Sequence, residues 1–268
     1  KTRVLVGRVT HLIQQLGVPP SHILCITFTN KAAREMRERL QASVGVDAAN
    51  AITAGTFHSV ACRMLRKHIH LLEGYGRGND FAIYDTSDTN SLLRKILMEE
   101  FNEDKKKADP SQVRGRISTA KSAVVHCVGL TGKQMMHALV ASRPTLERDP
   151  SVTVGFPRLY DEYEAGLRTS NALDFDDLLS AAVALIKNSG EARQHYQQRW
   201  RHVLVDEFQD TSLSQYELIR TLALPQSKVF VVGDVDQAIY SWRGAEVANI
   251  RTRFDEDFAG AGTHMLTK

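Results

Sequence analysis

The sequence predicts an α/β fold, a parallel sheet with helices on both faces and a mainly helical subdomain inserted into it. Two observations carry this. Four short segments rich in β-branched residues, at 23–28, 50–54, 202–205 and 228–232, each run into a polar or Gly-containing turn and then a helical pattern. Strands alternating with helices imply a parallel sheet, whose ligands bind beyond the carboxyl ends of the strands. From 81 to 171 the pattern changes to helical segments, such as the one at 91–101, punctuated by Asp109-Pro110, Arg143-Pro144 and Asp149-Pro150. The expected organisation is 1–80 as the first part of the sheet domain, 81–171 as the helical insertion, and 172–268 as the second part.

Taken in order, the chain opens with Lys1-Thr2 and an amphipathic helical pattern over 4–16, before the strand at 23–28. The strand at 50–54 leads into Gly55-Thr56-Phe57-His58-Ser59, and the insertion follows. Within it, Lys105-Lys106-Lys107 reads as a solvated turn. The strand at 202–205 ends in Asp206-Glu207, and the one at 228–232 ends in Gly233-Asp234-Val235-Asp236-Gln237. A net charge of +3, from 34 Lys and Arg against 31 Asp and Glu, permits a polyanionic partner but is too small to argue for one. Cys25, Cys62 and Cys127 form no CxxC pair, which removes a zinc ribbon or disulfide framework and fits a reducing, intracellular compartment. There is no long apolar run to span a membrane and no signal-type stretch after the first residues.

Chemistry is therefore expected just past the strands. Asp206 and Glu207 place two carboxylates at the tip of a buried strand, a Walker B arrangement in which the Asp holds Mg²⁺ on the phosphates of ATP and the Glu orients and deprotonates the attacking water. An acidic turn after a strand is common by itself. The second strand end strengthens the reading, because Gln237 there can reach a γ-phosphate and sense its loss. Such a site also needs a Gly-rich loop ending in Gly-Lys-Ser or Gly-Lys-Thr. Gly132-Lys133 is not that loop, since Cys127 stands where its first Gly belongs and Gln134 replaces the hydroxyl residue. Lys1-Thr2 ahead of a helix matches the last two residues of one, with its glycines expected upstream. Lys1, Thr2 and Gln237 are thus the candidate ATP-binding residues, Thr2 and Asp206 the candidate magnesium ligands, and Asp206, Glu207 and Gln237 the candidate catalytic groups.

Five stretches, in this order, resemble the superfamily 1A DNA helicases of the UvrD, PcrA and Rep type: Ile26-Thr27-Phe28-Thr29-Asn30-Lys31-Ala32-Ala33, Gly55-Thr56-Phe57-His58-Ser59, Leu173-Asp174-Phe175-Asp176-Asp177-Leu178, Val205-Asp206-Glu207-Phe208-Gln209-Asp210, and residues 233–245 from Gly233-Asp234 to Gly244-Ala245. The resemblance implies a RecA-like P-loop NTPase domain, 1A, with a helical insertion, 1B, and ATP-dependent 3′ to 5′ translocation on single-stranded DNA. Phe208 stands where the family usually has Tyr and Ala238 where it usually has Ser; residues 124–149 match least. The resemblance further implies that Met265-Leu266-Thr267 leads into an Asn-Tyr-Arg motif and a second RecA-like domain supplying another Arg. With loop glycines and arginines both outside it, the chain alone is expected to fold but to be inactive as an ATPase and helicase.

A motor on single strands needs phosphate contacts and flat aromatic groups on which bases stack. Phe28, Tyr240 and Trp242 follow sheet strands beside the polar groups Thr29, Asn30 and Arg243, and Trp242 lies between Ser241 and Arg243 before Gly244, a poor context for a core residue. Thr56, His58 and the start of the helix there offer donors to a DNA phosphate; a plain helix-start role for His58 is an equal alternative. The expected partners are single-stranded DNA and single-strand/duplex junctions. Gln237 and Trp242 share one short segment, so loss of the γ-phosphate at one end can shift base-stacking groups at the other. Two rivals stand beside this reading. A P-loop kinase or other small-molecule NTPase accounts for the acidic strand end but not for the aromatics, and a non-enzymatic DNA-binding or scaffold relative is opposed by the intact Asp206, Glu207 and Gln237.

Overall fold

The structure is a computed structural model that describes residues 1–101, 109–149, 154–224, 228–237 and 252–265. Tyr240, Trp242, Arg243 and the lysine run at 105–107 lie outside the described residues. In chain order the elements are α1 (Thr2–Gln14), β1 (Ile23–Thr27), α2 (Asn30–Val44), α3 (Val46–Ala51), β2 (Thr53–Thr56), α4 (Phe57–His68), β3 (Ala82–Ile83), α5 (Thr86–Glu100), α6 (Pro110–Ser122), α7 (Gly132–Ser142), α8 (Phe156–Thr169), β4 (Ala172–Leu173), α9 (Phe175–Asn188), α10 (Gly190–Arg199), β5 (His202–Val205), α11 (Leu213–Ala223), β6 (Lys228–Val231) and α12 (Phe254–Asp257).

Two compact units result, residues 1–56 with 197–268, and residues 57–196. The boundaries expected at 80/81 and 171/172 both fall inside the second unit. There α4 packs against α9, so the helices flanking the insertion group with it rather than with the sheet.

The first unit is built on a sheet of strand order β2-β1-β5-β6, parallel throughout. Every residue of β1 is buried, as expected for a central strand covered on both faces. Ile23 and Cys25 of β1 and Leu204 of β5 pack with Leu5, Val9 and Leu12 of α1 and with Met36 and Leu40 of α2. The positions 5, 9 and 12 fall on one face of a 3.6-residue helix, which is why α1 lies along the sheet. Each such side chain contributes about 1.5–3 kcal/mol when fully buried.

Helix α1 runs from Thr2 to Gln14 rather than over 4–16, β1 and β6 each end one residue early, and two further limits differ for local reasons. The strand expected at 50–54 runs instead from Thr53 to Thr56. Gly45, at φ 87°, ends α2, and the short α3 then holds Asn50 and Ala51 before Ile52 turns the chain extended. In the second unit α5 begins at Thr86 rather than at 91. Asp85 caps it, accepting the Ser87 and Asp88 N–H groups at 2.7 and 3.0 Å, while the Asp85 N–H donates to the Asp88 carboxylate at 3.1 Å. That unit also holds a two-stranded parallel sheet of β3 and β4, which the sequence did not reveal.

Gly132-Lys133 is the start of a packed helix. Thr131 caps α7, the Gly132 N–H donates to Asp161 at 2.6 Å, and a Cβ on Gly132 would lie 1.8 Å from the Pro157 carbonyl oxygen. Glycine is required there so that α7 can approach α8.

The second unit also explains the Leu173-Asp174-Phe175-Asp176-Asp177-Leu178 stretch. Asp174 caps α9 and accepts the Asp177 N–H at 2.8 Å. The fully buried Lys121 ammonium lies 2.8, 2.7 and 2.8 Å from carboxylate oxygens of Asp174, Asp177 and Glu164, and Arg77 reaches Glu164 at 3.0 Å. Burial alone would pull the Lys121 pKa down, yet its carboxylate neighbours outweigh that and hold it well above its ordinary value. Asp177 is driven the other way from a normal acid, raised by burial and by the charges of Asp174 and Glu164. Removing the ammonium would leave buried acids unpaired, a cost of about 3–5 kcal/mol. Lys121→Met is therefore expected to lower the unfolding free energy by that order in a denaturant titration, and a change below about 1 kcal/mol would show that the cluster does not hold the unit together.

Candidate functional site

Hydrogen bonding along β5 continues one residue past the strand: the Asp206 N–H donates to the Ile26 carbonyl at 3.0 Å, which fixes Asp206 at the sheet edge. The next residue, Glu207, sits at φ 51° and ψ 44°, the left-handed region that non-glycine residues rarely adopt. That turn redirects the chain, so that the Phe208 N–H meets the Val232 carbonyl at 3.0 Å. The buried Phe208 ring packs against Tyr216 of α11 and Phe254 of α12, which anchors the turn in apolar surroundings.

The first residues of α1 arrive at the same edge. The Thr2 hydroxyl donates to the Asp206 carboxylate at 2.8 Å, and the Lys1 ammonium binds the Glu207 carboxylate and donates to the Gln237 side-chain oxygen at 2.7 Å. The Gln237 amide in turn donates to Asp234 at 2.7 Å. Lys1, Thr2, Asp206, Glu207 and Gln237 are thus brought together from three separate parts of the chain. Helix α1 has no acidic residue in its own first turn and no side-chain cap, so the carboxylates that meet the positive end of its dipole are those of Asp206 and Glu207, past β5.

The donor set suits Mg²⁺. A threonine hydroxyl and a carboxylate, 2.8 Å apart, are the hard oxygen ligands this ion takes, and it is usually held by one or two protein oxygens plus substrate phosphates and water. Among the described residues there is no group of three or more His, Cys, Asp or Glu that would build an all-protein metal cage. The Lys1 ammonium lies between the Glu207 carboxylate and the Gln237 side-chain oxygen.

The candidate DNA contacts divide. Phe28 is half-buried just past β1, Asn30 is exposed, and the Thr29 hydroxyl oxygen caps α2 by accepting the Ala32 N–H at 3.1 Å. Thr56 is buried at the end of β2. His58 belongs to the second unit, near the start of α4, where its ring lies edge-on to that of Phe175 at 5.7 Å. Tyr240, Trp242 and Arg243 are outside the described residues. What sequence reasoning missed is Gln209. Its position within the Asp206–Asp210 motif was visible, but the hydrogen bonds that give it importance depend on how two strand ends meet.

Comparison with known proteins gives a consistent picture. Residues 1–259 match the family model described as the UvrD/REP helicase N-terminal domain. A protein from Leuconostoc citreum named ATP-dependent DNA helicase PcrA is 39% identical over 266 residues, covering 99% of this chain and 33% of the relative. ATP-dependent DNA helicase UvrD1 of Mycobacterium leprae (strain TN) is 38% identical, covering 99% and 34%. The Staphylococcus aureus (strain Mu50 / ATCC 700699) protein named ATP-dependent DNA helicase PcrA is 37% identical, again covering 99% and 34%. The chain spans about a third of the length of these relatives.

Burial lowers the pKa of His58 below its ordinary 6.5, so the ring is neutral at physiological pH. The neutral ring favours the folded state, and this contribution is lost as pH falls through the lowered value. An NMR titration of the His58 imidazole is expected to give a midpoint below 6.5; a midpoint at or above 6.5 would show that burial does not disfavour the charged ring.

Proposed function

The chain belongs to the UvrD/REP helicase N-terminal domain family, and from that membership we propose that the full-length protein is an ATP-dependent DNA helicase that moves 3′ to 5′ on single-stranded DNA. The observation that carries the proposal is the meeting of Lys1 and Thr2 with Asp206, Glu207 and Gln237 at one sheet edge. In this reading residues 1–80 and 172–268 form the RecA-like domain 1A, and 81–171 form the insertion 1B. Among the described residues no helix is long and apolar enough to cross a membrane.

Each group has a role that follows from its chemistry. Lys1, at the start of α1, exchanges its bonds to Glu207 and Gln237 for a nucleotide phosphate. Thr2 and Asp206 would hold Mg²⁺, which would neutralise phosphate charge. Glu207, released by Lys1, orients a water molecule and takes its proton. Gln237 faces the position that Lys1 leaves and so reads whether the terminal phosphate is present. Phosphoryl transfer asks little covalent chemistry of a protein, so positioning and charge dominate its rate.

For DNA we propose Phe28, Tyr240 and Trp242 as stacking groups, with Thr29, Asn30, Thr56, His58 and Arg243 as polar contacts to the strand. Since His58 is held neutral, its contact is a hydrogen bond and adds nothing to the salt dependence that cationic side chains confer. Single-strand/duplex junctions are the proposed working substrate.

In the full-length protein Glu207→Gln is expected to abolish DNA-stimulated ATP hydrolysis while Mg·ATP still binds, because an amide keeps the shape but cannot accept a proton. Asp206→Asn is expected to weaken magnesium-dependent nucleotide binding instead. Hydrolysis within a few-fold of wild type in both variants would remove these residues from the catalytic site. Trp242→Ala is expected to weaken single-strand affinity by about 1–3 kcal/mol irrespective of base sequence; a fall in thermal stability with unchanged affinity of the folded protein would make Trp242 a packing residue.

A further inference from the structure

Gln209 is almost wholly buried, at 1% exposure, between two functional strand ends. Its side-chain oxygen accepts the Asp234 backbone N–H at 2.9 Å. Its amide nitrogen donates to the Glu207 carboxylate at 2.9 Å and to the Asp210 carboxylate at 3.2 Å. These partners fix the orientation of the amide. A backbone N–H demands the oxygen, and the two carboxylates demand the NH₂.

The bonds close a ring. Gln209 joins Glu207 to the Asp234 backbone, the Asp234 carboxylate accepts from Gln237, and the Gln237 oxygen accepts from Lys1, which returns to Glu207. Lys1 reaches the ring on a long flexible side chain at the start of a helix. Gln209 reaches it from a buried turn, held by the Asp210 N–H to the Glu207 carbonyl at 3.0 Å and by the Thr211 hydroxyl to the Phe208 carbonyl at 2.8 Å. When Lys1 turns to a phosphate, Gln209 is the link that keeps its place.

We propose that Gln209 is a positioning residue that holds the Glu207 carboxylate at one end of its amide and the loop carrying Gln237 at the other, so that the water-activating acid and the phosphate-sensing glutamine move as one piece. This rests on the roles proposed above for Glu207 and Gln237. Only a glutamine suits the place. Glutamate has the same shape and keeps the acceptor for the Asp234 N–H, but it sets a second carboxylate against Glu207. Methionine fills the space and makes neither bond, and asparagine is one methylene short.

The test compares Gln209→Met, Gln209→Glu and Glu207→Gln in the full-length protein, by DNA-stimulated ATPase kinetics and by hydrogen exchange at the Asp234 amide. Both Gln209 variants are expected to lose about tenfold or more in kcat, with KM for ATP changed by no more than about threefold, as for groups that orient a reacting residue without touching substrate. The Asp234 amide is expected to exchange faster in Gln209→Met and to stay protected in Gln209→Glu. A role confined to folding predicts a lower melting temperature with normal kcat in the folded protein, and that result overturns the proposal, as does unchanged exchange in Gln209→Met. If Gln209→Met does not fold, Gln209→Glu decides alone: wild-type kcat overturns the proposal. Glu207→Gln separates the two levels. Turnover retained in that variant means the assignment of Glu207 itself has failed, whereas a dead Glu207→Gln beside an active Gln209→Glu means that only the inference about Gln209 has.

Discussion

In a parallel sheet every strand delivers its last residue to the same edge, and the register of this one decides which residues meet there. Cys25 pairs with Leu204 and Leu204 with Phe230, so β1, β5 and β6 end nearly level. The acid pair after β5 and the glutamine loop after β6 are therefore neighbours although the chain between them makes a full helical crossover. An antiparallel arrangement would send one of the two to the opposite edge. The apolar face of α1 supplies the third component. By burying Leu5, Val9 and Leu12 against the sheet it fixes the helix axis, and the start of that helix, with Lys1 and Thr2, is carried to the acids as a consequence.

The turn after β5 carries the conformational cost of this arrangement. A non-glycine residue in the left-handed region costs on the order of 1–3 kcal/mol, and Glu207 remains there only because its surroundings require it. The requirement comes from both sides. Asp206 is tied by its N–H to β1, Phe208 is tied by its N–H to β6, and the Phe208 ring is buried among aromatics. With the backbone on either side committed, the Glu207 side chain is aimed at the edge rather than along the strand. Substituting glycine would ease the backbone and remove the acid together, so the strain and the carboxylate are bound to one residue.

Much of this was legible in the sequence, and the failures have identifiable causes. The end of β5 at Val205 was readable because a short β-branched run stops at Asp206, while β6 was expected to run to Val232 and ends at Val231; the two acidic strand ends came together by placing them in one sheet, and Lys1-Thr2 joined them as a match to the last two residues of a nucleotide loop. The start of β2 was misplaced because Asn50 and Ala51 have no side-chain pattern to separate a short helix from a strand, and the decisive feature is the backbone of Gly45. Strands β3 and β4 have two residues each, too few for any periodicity to show. Lys121 gave no signal at all. A lysine on a helix reads as solvent-facing until the acids that bury it are known to be near, and those come from α8 and the start of α9. The contacts of Gln209 were hidden for the same reason, since its partner at Asp234 lies on another strand end.

The two acidic stretches of this chain show why composition alone does not separate a carboxylate locked in the interior from one that meets solvent. Asp174 and Asp177 stand just past a strand and at the start of a helix, much as Asp206 and Glu207 stand past theirs. What differs is the cation. Lys121 has no exposed side-chain surface and meets three acids at 2.7–2.8 Å, so it is locked among them away from solvent. At the sheet edge the Glu207 side chain is 38% exposed and that of Lys1 17%, and the cation is the end of a long chain rooted at a helix start. That pair stands partly in water, where the attraction between two charges is weaker than in a dry interior. The buried cluster resists removal of any partner, whereas the pair at the sheet edge is reached by solvent from the Glu207 side. The same residue types thus make a buried joint in one unit and a partly solvated contact in the other, and the difference lies in burial and in the reach of the cation.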